Sequence, residues 1–149
     1  MIMPAYNSER YIAKAIESVL QQSYRNIELV IVDDCSSDNT RTIIKEYASG
    51  DARVRYIRNA YNMGCAEARN VAIRYSSGTY ISFIDSDDVV EPDFCEQLYQ
   101  AAKQCDADLA YCQAQLVKGA EIQPMNNPVI ESGEFMGAKR SFFLTHYVT

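Results

Sequence analysis

Long apolar runs are missing from this chain. No stretch approaches the roughly 18 to 20 residues that a bilayer-spanning helix needs, and no basic segment followed by a hydrophobic one opens the sequence. The expectation is a cytoplasmic protein. Basic residues are also scarce: 14 Lys and Arg stand against 20 Asp and Glu, a formal net charge of −6. Nucleic-acid surfaces need clustered cations to release phosphate counterions, so nucleic acid is not an expected partner, and an anionic ligand would need a local cation. The five cysteines, Cys35, Cys65, Cys95, Cys105 and Cys112, form no Cys-x-x-Cys pair, and their odd number leaves at least one thiol unpaired. Reduced thiols are expected, and a zinc site lacks its ligands. The single histidine, His146, has no identifiable partner and is assigned no role. Neither Gly-x-x-x-x-Gly-Lys-Ser/Thr nor Gly-x-Gly-x-x-Gly occurs, which removes the P-loop and dinucleotide fingerprints.

What is present reads as one ordinary domain over residues 1–149, with 48% hydrophobic and 23% charged residues. Short apolar runs at 2–3, 27–32, 54–57 and 80–84 read as strands. Helical spacing lies between them, the rhythm of an α/β fold with a mostly parallel sheet flanked by crossover helices. Tyr11, Ile12, Ala15, Ile16, Val19 and Leu20 predict a first helix behind an Asn7 or Ser8 cap. A second starts near Ser37, buries Ile43, Ile44 and Tyr47, and ends before Ser49-Gly50-Asp51. A third runs over 64–75, and a fourth over 92–103 with Phe94, Cys95, Leu98 and Ala102 inward. Beyond Asp108 the pattern predicts a strand over 109–117, a loop over 119–128 and a helix over 134–147.

Three segments could carry chemistry. Asp85-Ser86-Asp87-Asp88 places three carboxylates where an apolar strand stops, and parallel sheets bind ligands beyond the carboxyl ends of their strands. Close carboxylates repel unless a cation offsets them, and hard oxygen ligands favour Mg²⁺ or Mn²⁺. A solvated turn that caps the next helix accounts for this motif equally well by itself. A calcium loop does not, because Val90 stands where glycine is needed and Pro92 interrupts it. Asp33-Asp34-Cys35-Ser36-Ser37-Asp38 ends another strand and suits hydrogen bonding to a base or ribose, or plain turn and cap chemistry. Gly64, Ala66 and Ala68 allow close approach at a helix start, and Arg69 can pair with a phosphate or with a surface acid. After the first strand, Tyr6 can stack on a planar base or simply pack.

The motifs in order are Ile2-Met3-Pro4-Ala5-Tyr6-Asn7, Ser18-Val19-Leu20-Gln21-Gln22-Ser23-Tyr24, Val32-Asp33-Asp34-Cys35-Ser36-Ser37-Asp38-Asn39-Thr40, Asn62-Met63-Gly64 with Ala68-Arg69-Asn70, Gly78-Thr79-Tyr80-Ile81 and Phe83-Ile84-Asp85-Ser86-Asp87-Asp88. Together, over about residues 1–95, they resemble family 2 glycosyltransferases of GT-A fold. The resemblance implies a Rossmann-like mostly parallel sheet and transfer of a sugar, usually with inversion, from a nucleotide-sugar donor, often a UDP-sugar. The acceptor would be a glycan or a lipid-linked molecule in cell-surface polysaccharide synthesis. It implies a cytoplasmic enzyme at the inner face of the membrane, although no basic amphipathic stretch here supports peripheral membrane contact.

Carried over by position, Pro4, Tyr6 and Asp34 would line the uracil and ribose pocket, and Arg69 would reach the donor. Asp85 would meet ribose or metal, and Asp87 would bind the Mn²⁺ or Mg²⁺ that bridges the diphosphate, with Asp88 beside it. The family's general base lies in a later Glu-Asp segment. No such pair follows Asp88. The expectation is therefore a donor-binding domain truncated on its acceptor side, with the base beyond the chain end. Two rivals remain. A non-catalytic nucleotide-sugar-binding module fits the missing base. A receiver domain would share acids at strand ends, but a full strand and helix precede Asp33-Asp34 here, and the Lys-Pro expected after the later strand is absent.

Overall fold

Residue 4 shapes the whole sheet. In the computed structural model, which describes residues 1–112, 115–118 and 121–124, strand β1 (Ile2–Ala5) lies in the sheet's interior. On one side it pairs in parallel with β2 (Leu29–Asp33), Ile2 opposite Val30 and Ala5 opposite Asp33, and β2 pairs in parallel with β3 (Val54–Arg58). On its other side β1 meets residues 82–84: Ile2 donates to the Ser82 carbonyl at 2.8 Å, and the Ile84 N–H donates to the Ile2 carbonyl at 3.0 Å. The next donor on that side would be residue 4, and proline has no N–H. Pairing ends at a single bridge, Ile2 to Phe83, so the strand expected over 80–84 contracts to that contact. The chain then leaves the sheet into the acidic turn.

Alternation along the strands divides the core in two. Met3, Ala5, Leu29 and Ile31 face one side, where they pack with Ile12, Ile16 and Val19 of α1 (Ile12–Leu20), Ile44 of α2 (Thr40–Gly50), and Phe94 and Leu98 of α4 (Phe94–Gln104). Ile2, Val30, Val32 and Phe83 face the other side and meet Ala68, Val71 and Ala72 of α3 (Cys65–Tyr75). Each large side chain so buried contributes about 1.5–3 kcal/mol, which makes both faces structural.

Several boundaries differ from the sequence expectation. Neither Asn7 nor Ser8 caps α1 with its side chain; the Ser8 carbonyl accepts from the Tyr11 and Ile12 N–H groups instead. Helix α2 begins at Thr40, after a turn in which the Ser36 and Ser37 N–H groups are held by Asp33 Oδ1 and Asn7 Oδ1, and it continues through Gly50. Helix α4 starts two residues later than expected, since the Pro92 carbonyl is held by the Ser23 N–H at 2.7 Å. Residues 109–112 form no strand. An antiparallel pair, β4 (Gln115–Lys118) with β5 (Glu121–Pro124), replaces the expected long strand and loop. The expected helix over 134–147 lies outside the described residues.

Candidate functional site

Strands β1, β2 and β3 and the 82–84 segment are parallel, so the segments that follow them emerge on one edge of the sheet. The first two loops are sewn together. Asn7, at φ +49°, receives the Ser37 N–H on Oδ1 at 2.9 Å and gives its own N–H to Ser36 Oγ at 3.0 Å. The Ser8 N–H donates to Thr40 Oγ1 at 2.8 Å, and the Asn39 N–H donates to Glu9 Oε2 at 2.9 Å. Cys35 sits at φ +65° in this bend, and Arg58 Nη2 donates to the Ser36 carbonyl at 3.2 Å.

The two acids that end β2 do different things. Asp33 is fully buried and holds its own turn: Oδ1 accepts the Ser36 N–H at 2.8 Å, and Oδ2 takes the Tyr56 hydroxyl at 3.3 Å and lies 3.6 Å from Arg58 Nε. Asp34, 3% exposed, reaches the third loop. Its Oδ1 accepts from Asn59 Nδ2 at 2.7 Å and the Met63 N–H at 2.9 Å, and its Oδ2 accepts the Gly64 N–H at 2.7 Å. Charged acceptors make the stronger kind of hydrogen bond, so Asp34 is a clamp on the start of α3.

Helix α3 carries that order to the acidic turn. Ala68 and Ala72 press it against the sheet, and Arg69 Nη2 meets Asp85 Oδ1 at 2.5 Å. Asp34, Arg69 and Asp85 are thus joined through one helix. Asp87 is exposed, whereas Asp88 is 1% exposed and its N–H donates to the Asp85 carbonyl at 3.1 Å. Asp85 and Asp87 are the carboxylates of this turn open to a cation. Among the described residues no three His, Cys, Asp or Glu side chains gather at one point. A donor set of one or two carboxylates, completed by phosphate and water, is the usual arrangement for Mg²⁺. Pro4 is buried in β1 itself, and Tyr6, 51% exposed, stands where β1 ends.

Two features escaped the sequence reading. Gln22, wholly buried, donates from Nε2 to the Ser18 carbonyl at 3.1 Å and the Glu91 carbonyl at 2.6 Å, and accepts the Cys95 N–H at 2.8 Å. With Ser18 Oγ, which accepts the Val90 N–H at 3.2 Å, it fixes the segment after the acidic turn. A glutamine at the end of an amphipathic helix gives no hint of burial beyond its apolar neighbours. Cys65, the first residue of α3, lies close enough to Arg69, Asp85 and Asp34 to feel their charges, and its thiol is pushed up, first by burial. A cavity of about 620 Å³ lies elsewhere: Met1, Glu28, Tyr24, Tyr80 and Tyr99 line it at the amino end of the strands, away from the acidic turn.

A parallel sheet covered on both faces, with an acidic turn leaving it beside β1 and an arginine helix set against that turn, defines a GT-A nucleotide-diphospho-sugar transferase fold. The description "Glycosyl transferase family 2" matches residues 1–147, and the chain belongs to that family. It is 42% identical over 110 residues to Glycosyltransferase GlyA of Streptococcus pneumoniae, covering 74% of this chain and 16% of that protein. It is 49% identical over 89 residues to the Escherichia coli UDP-Glc:alpha-D-GlcNAc-diphosphoundecaprenol beta-1,3-glucosyltransferase WfgD, covering 60% of this chain and 34% of that one. S. aureus TarS in complex with UDP-GlcNAc superposes with a TM-score of 0.73 at 30% identity, over 80% of this chain and 35% of TarS. The chain therefore spans well under half of the relatives it matches. Family membership sets the receiver-domain reading aside.

Proposed function

We propose that this chain is the donor-binding portion of a glycosyltransferase that transfers sugar from a UDP-sugar to a glycan or lipid-linked acceptor in cell-surface polysaccharide synthesis. Transfer is metal-dependent and inverting, on the cytoplasmic side of the membrane. The observation that carries the reading is the Arg69–Asp85 contact at 2.5 Å beside the exposed Asp87, in a chain similar to a UDP-GlcNAc-bound protein. Tyr6 stacks on the uracil, Pro4 backs the pocket from β1, and Asp34 sets the loop that receives base and ribose. Asp87, with Asp85, holds Mn²⁺ or Mg²⁺. Asp88, beneath them, supports the turn from inside.

When bound, the metal supplies positive charge against the negative charge that builds on the leaving diphosphate. The chain's own share is orientation. Arg69 adds a fixed cation on the same side, and the bonds from Gln22 and Ser18 keep the turn from drifting as the ligand enters. Proximity alone can be worth several powers of ten in rate, and a misplacement of about 1 Å can forfeit about a hundredfold. No residue of this chain is assigned as the general base.

Calorimetric titration of UDP, GDP and TDP tests the reading, with and without Mn²⁺, on this chain and on Asp87→Ala. UDP should bind best, with Mn²⁺ present, and Asp87→Ala should weaken it by about tenfold or more, the 1.4 kcal/mol or greater expected of a lost charged contact. A folded chain that binds no nucleotide under any metal condition would refute it. Sugar release or transfer from UDP-sugars then separates an enzyme from a module that only binds.

A further inference from the structure

The loop that follows β3 hangs from one buried carboxylate. Residues 60–65 are all exposed, Tyr61 at 66% and Met63 at 40%. Among the described residues, the hydrogen bonds that tie this loop to the sheet are those from the Met63 and Gly64 N–H groups to Asp34, at 2.9 and 2.7 Å, and a long one of 3.6 Å from Cys35 Sγ to the Ala60 carbonyl. Asp34 is almost wholly cut off from water, so protein donors must meet its charge. The third donor is a side chain, that of Asn59, itself buried, whose Nδ2 makes the shorter of the two bonds on Oδ1, 2.7 Å against 2.9 Å from Met63. Asn59 does not depend on that bond for its own place, because its N–H donates to the Asp33 carbonyl at 2.9 Å where β3 ends. Asp34 in turn gives its N–H to the Ala5 carbonyl at 2.8 Å, the residue before Tyr6.

We propose that Asn59 is a positioning residue for base recognition: by holding the Asp34 carboxylate, it fixes the loop over 60–64 relative to Tyr6 and so sets how well uracil is received. This rests on the donor-site reading above. Asn59 touches no ligand and acts through Asp34. Without its amide, Oδ1 is a donor short in a buried place, and the carboxylate shifts or loosens its hold on the Met63 and Gly64 N–H groups. The loss falls on the base, at the strand ends of β1 and β2, and leaves the diphosphate end at the acidic turn untouched.

Titration of UDP and of inorganic diphosphate, both with Mn²⁺, tests this on wild type, Asn59→Leu and Asn59→Asp. Leucine keeps the volume and removes the donor, so Asn59→Leu should bind UDP about tenfold more weakly, the size of a lost bond to a charged group, and bind diphosphate as wild type does. Asn59→Asp sets a second carboxyl against Asp34, close enough for the two to share a proton. At low pH the new carboxyl keeps that proton and donates it to Asp34 as the amide did; at higher pH the two charges repel and the loop is released. UDP affinity of Asn59→Asp relative to wild type should therefore rise several-fold between about pH 7.5 and about pH 5.5, the ratio cancelling the titration of the nucleotide's own phosphate. The other charged groups nearby, Asp33 and Arg58 at the strand ends and Cys65, Arg69 and Asp85 about α3, are common to all three proteins, so a step confined to Asn59→Asp belongs to the new pair.

The proposal is overturned if folded Asn59→Leu binds UDP as tightly as wild type, if it loses diphosphate as much as UDP, or if the ratio for Asn59→Asp is flat with pH. The wild type alone also decides: in ¹⁵N spectra the Asn59 side-chain amide and the Met63 and Gly64 N–H signals should move with UDP and hardly with diphosphate. Signals that stay still in a UDP-bound chain overturn it even where neither variant folds. A wild-type chain that binds UDP under no condition sinks the donor-site reading as well, whereas one that binds UDP with indifference to residue 59 sinks the positioning role alone.

Discussion

Gly64 stands at φ +87°, ψ 158°, where essentially only glycine is comfortable, and its N–H is one of those that Asp34 holds. No atom lies within 4 Å of where a Cβ would go, so a side chain there meets backbone strain and no steric wall. Gly64→Ala should therefore lose about 1–3 kcal/mol of stability in urea unfolding, with no change in the slope. Wild-type stability would show that the loop relaxes freely and that Asp34 is no clamp. At the sheet's other edge, Glu28 accepts from Ser77 N–H and Oγ, the Gly78 N–H and Arg55. Burial works to raise its pKa, but these bonds outweigh it and hold the carboxyl below its ordinary 4.5. A depressed carboxyl contributes stability that is complete above the unfolded value and lost as pH falls through the folded one. Melting of the wild type should decline more steeply below about pH 4.5 than that of Glu28→Gln; parallel curves would remove Glu28 from the account.

Between elements the important joint is α1 to the segment ahead of α4. Gln22→Leu keeps volume but strands the Cys95 N–H and the Glu91 carbonyl, each an unmade bond of about 1–3 kcal/mol if it stays buried. The variant should unfold at lower urea and, if still folded, bind Mn²⁺–UDP less tightly, because residues 90–95 anchor the acidic turn. Reduced stability with unchanged ligand affinity would make Gln22 a core residue only. This joint was invisible in the sequence, where Gln22 is one polar residue after a helix. Elements whose periodicity is their own were legible: the two-sided strands, the four helices and the order of the acidic strand ends. What was not legible depends on a partner. Asn7 looks like a cap, yet its side chain is claimed by Ser37. Residues 80–84 look like a full strand, yet Pro4 on the neighbouring strand cannot donate to them. The β4–β5 pair was not legible because its first strand overlaps the end of the run expected over 109–117 and its second falls in the stretch expected as a loop over 119–128. In the site, the placing of the acids at strand ends was legible, but the division of labour between Asp33, turned inward, and Asp34, turned to α3, needed coordinates.

At the scale of the whole molecule, a chain of net charge −6 is proposed to bind a nucleoside diphosphate, itself an anion. The long-range field would therefore oppose the nucleotide and favour a cation, while Arg69 and the proposed metal would reverse that sign only within a few ångströms. Added salt distinguishes the two ranges, because screening acts over about 8 Å at physiological ionic strength and far less on partly buried contacts. Mn²⁺ alone should bind more weakly as NaCl rises, since the attraction it feels comes largely from the acidic surface. UDP without metal should show the opposite trend, or at most a flat one, since salt removes a repulsion. Titrations of each ligand at two ionic strengths check this. If metal-free UDP binding falls steeply with salt, the nucleotide is held by exposed cations, and the acidic edge between Asp34 and Asp87 is not where it sits.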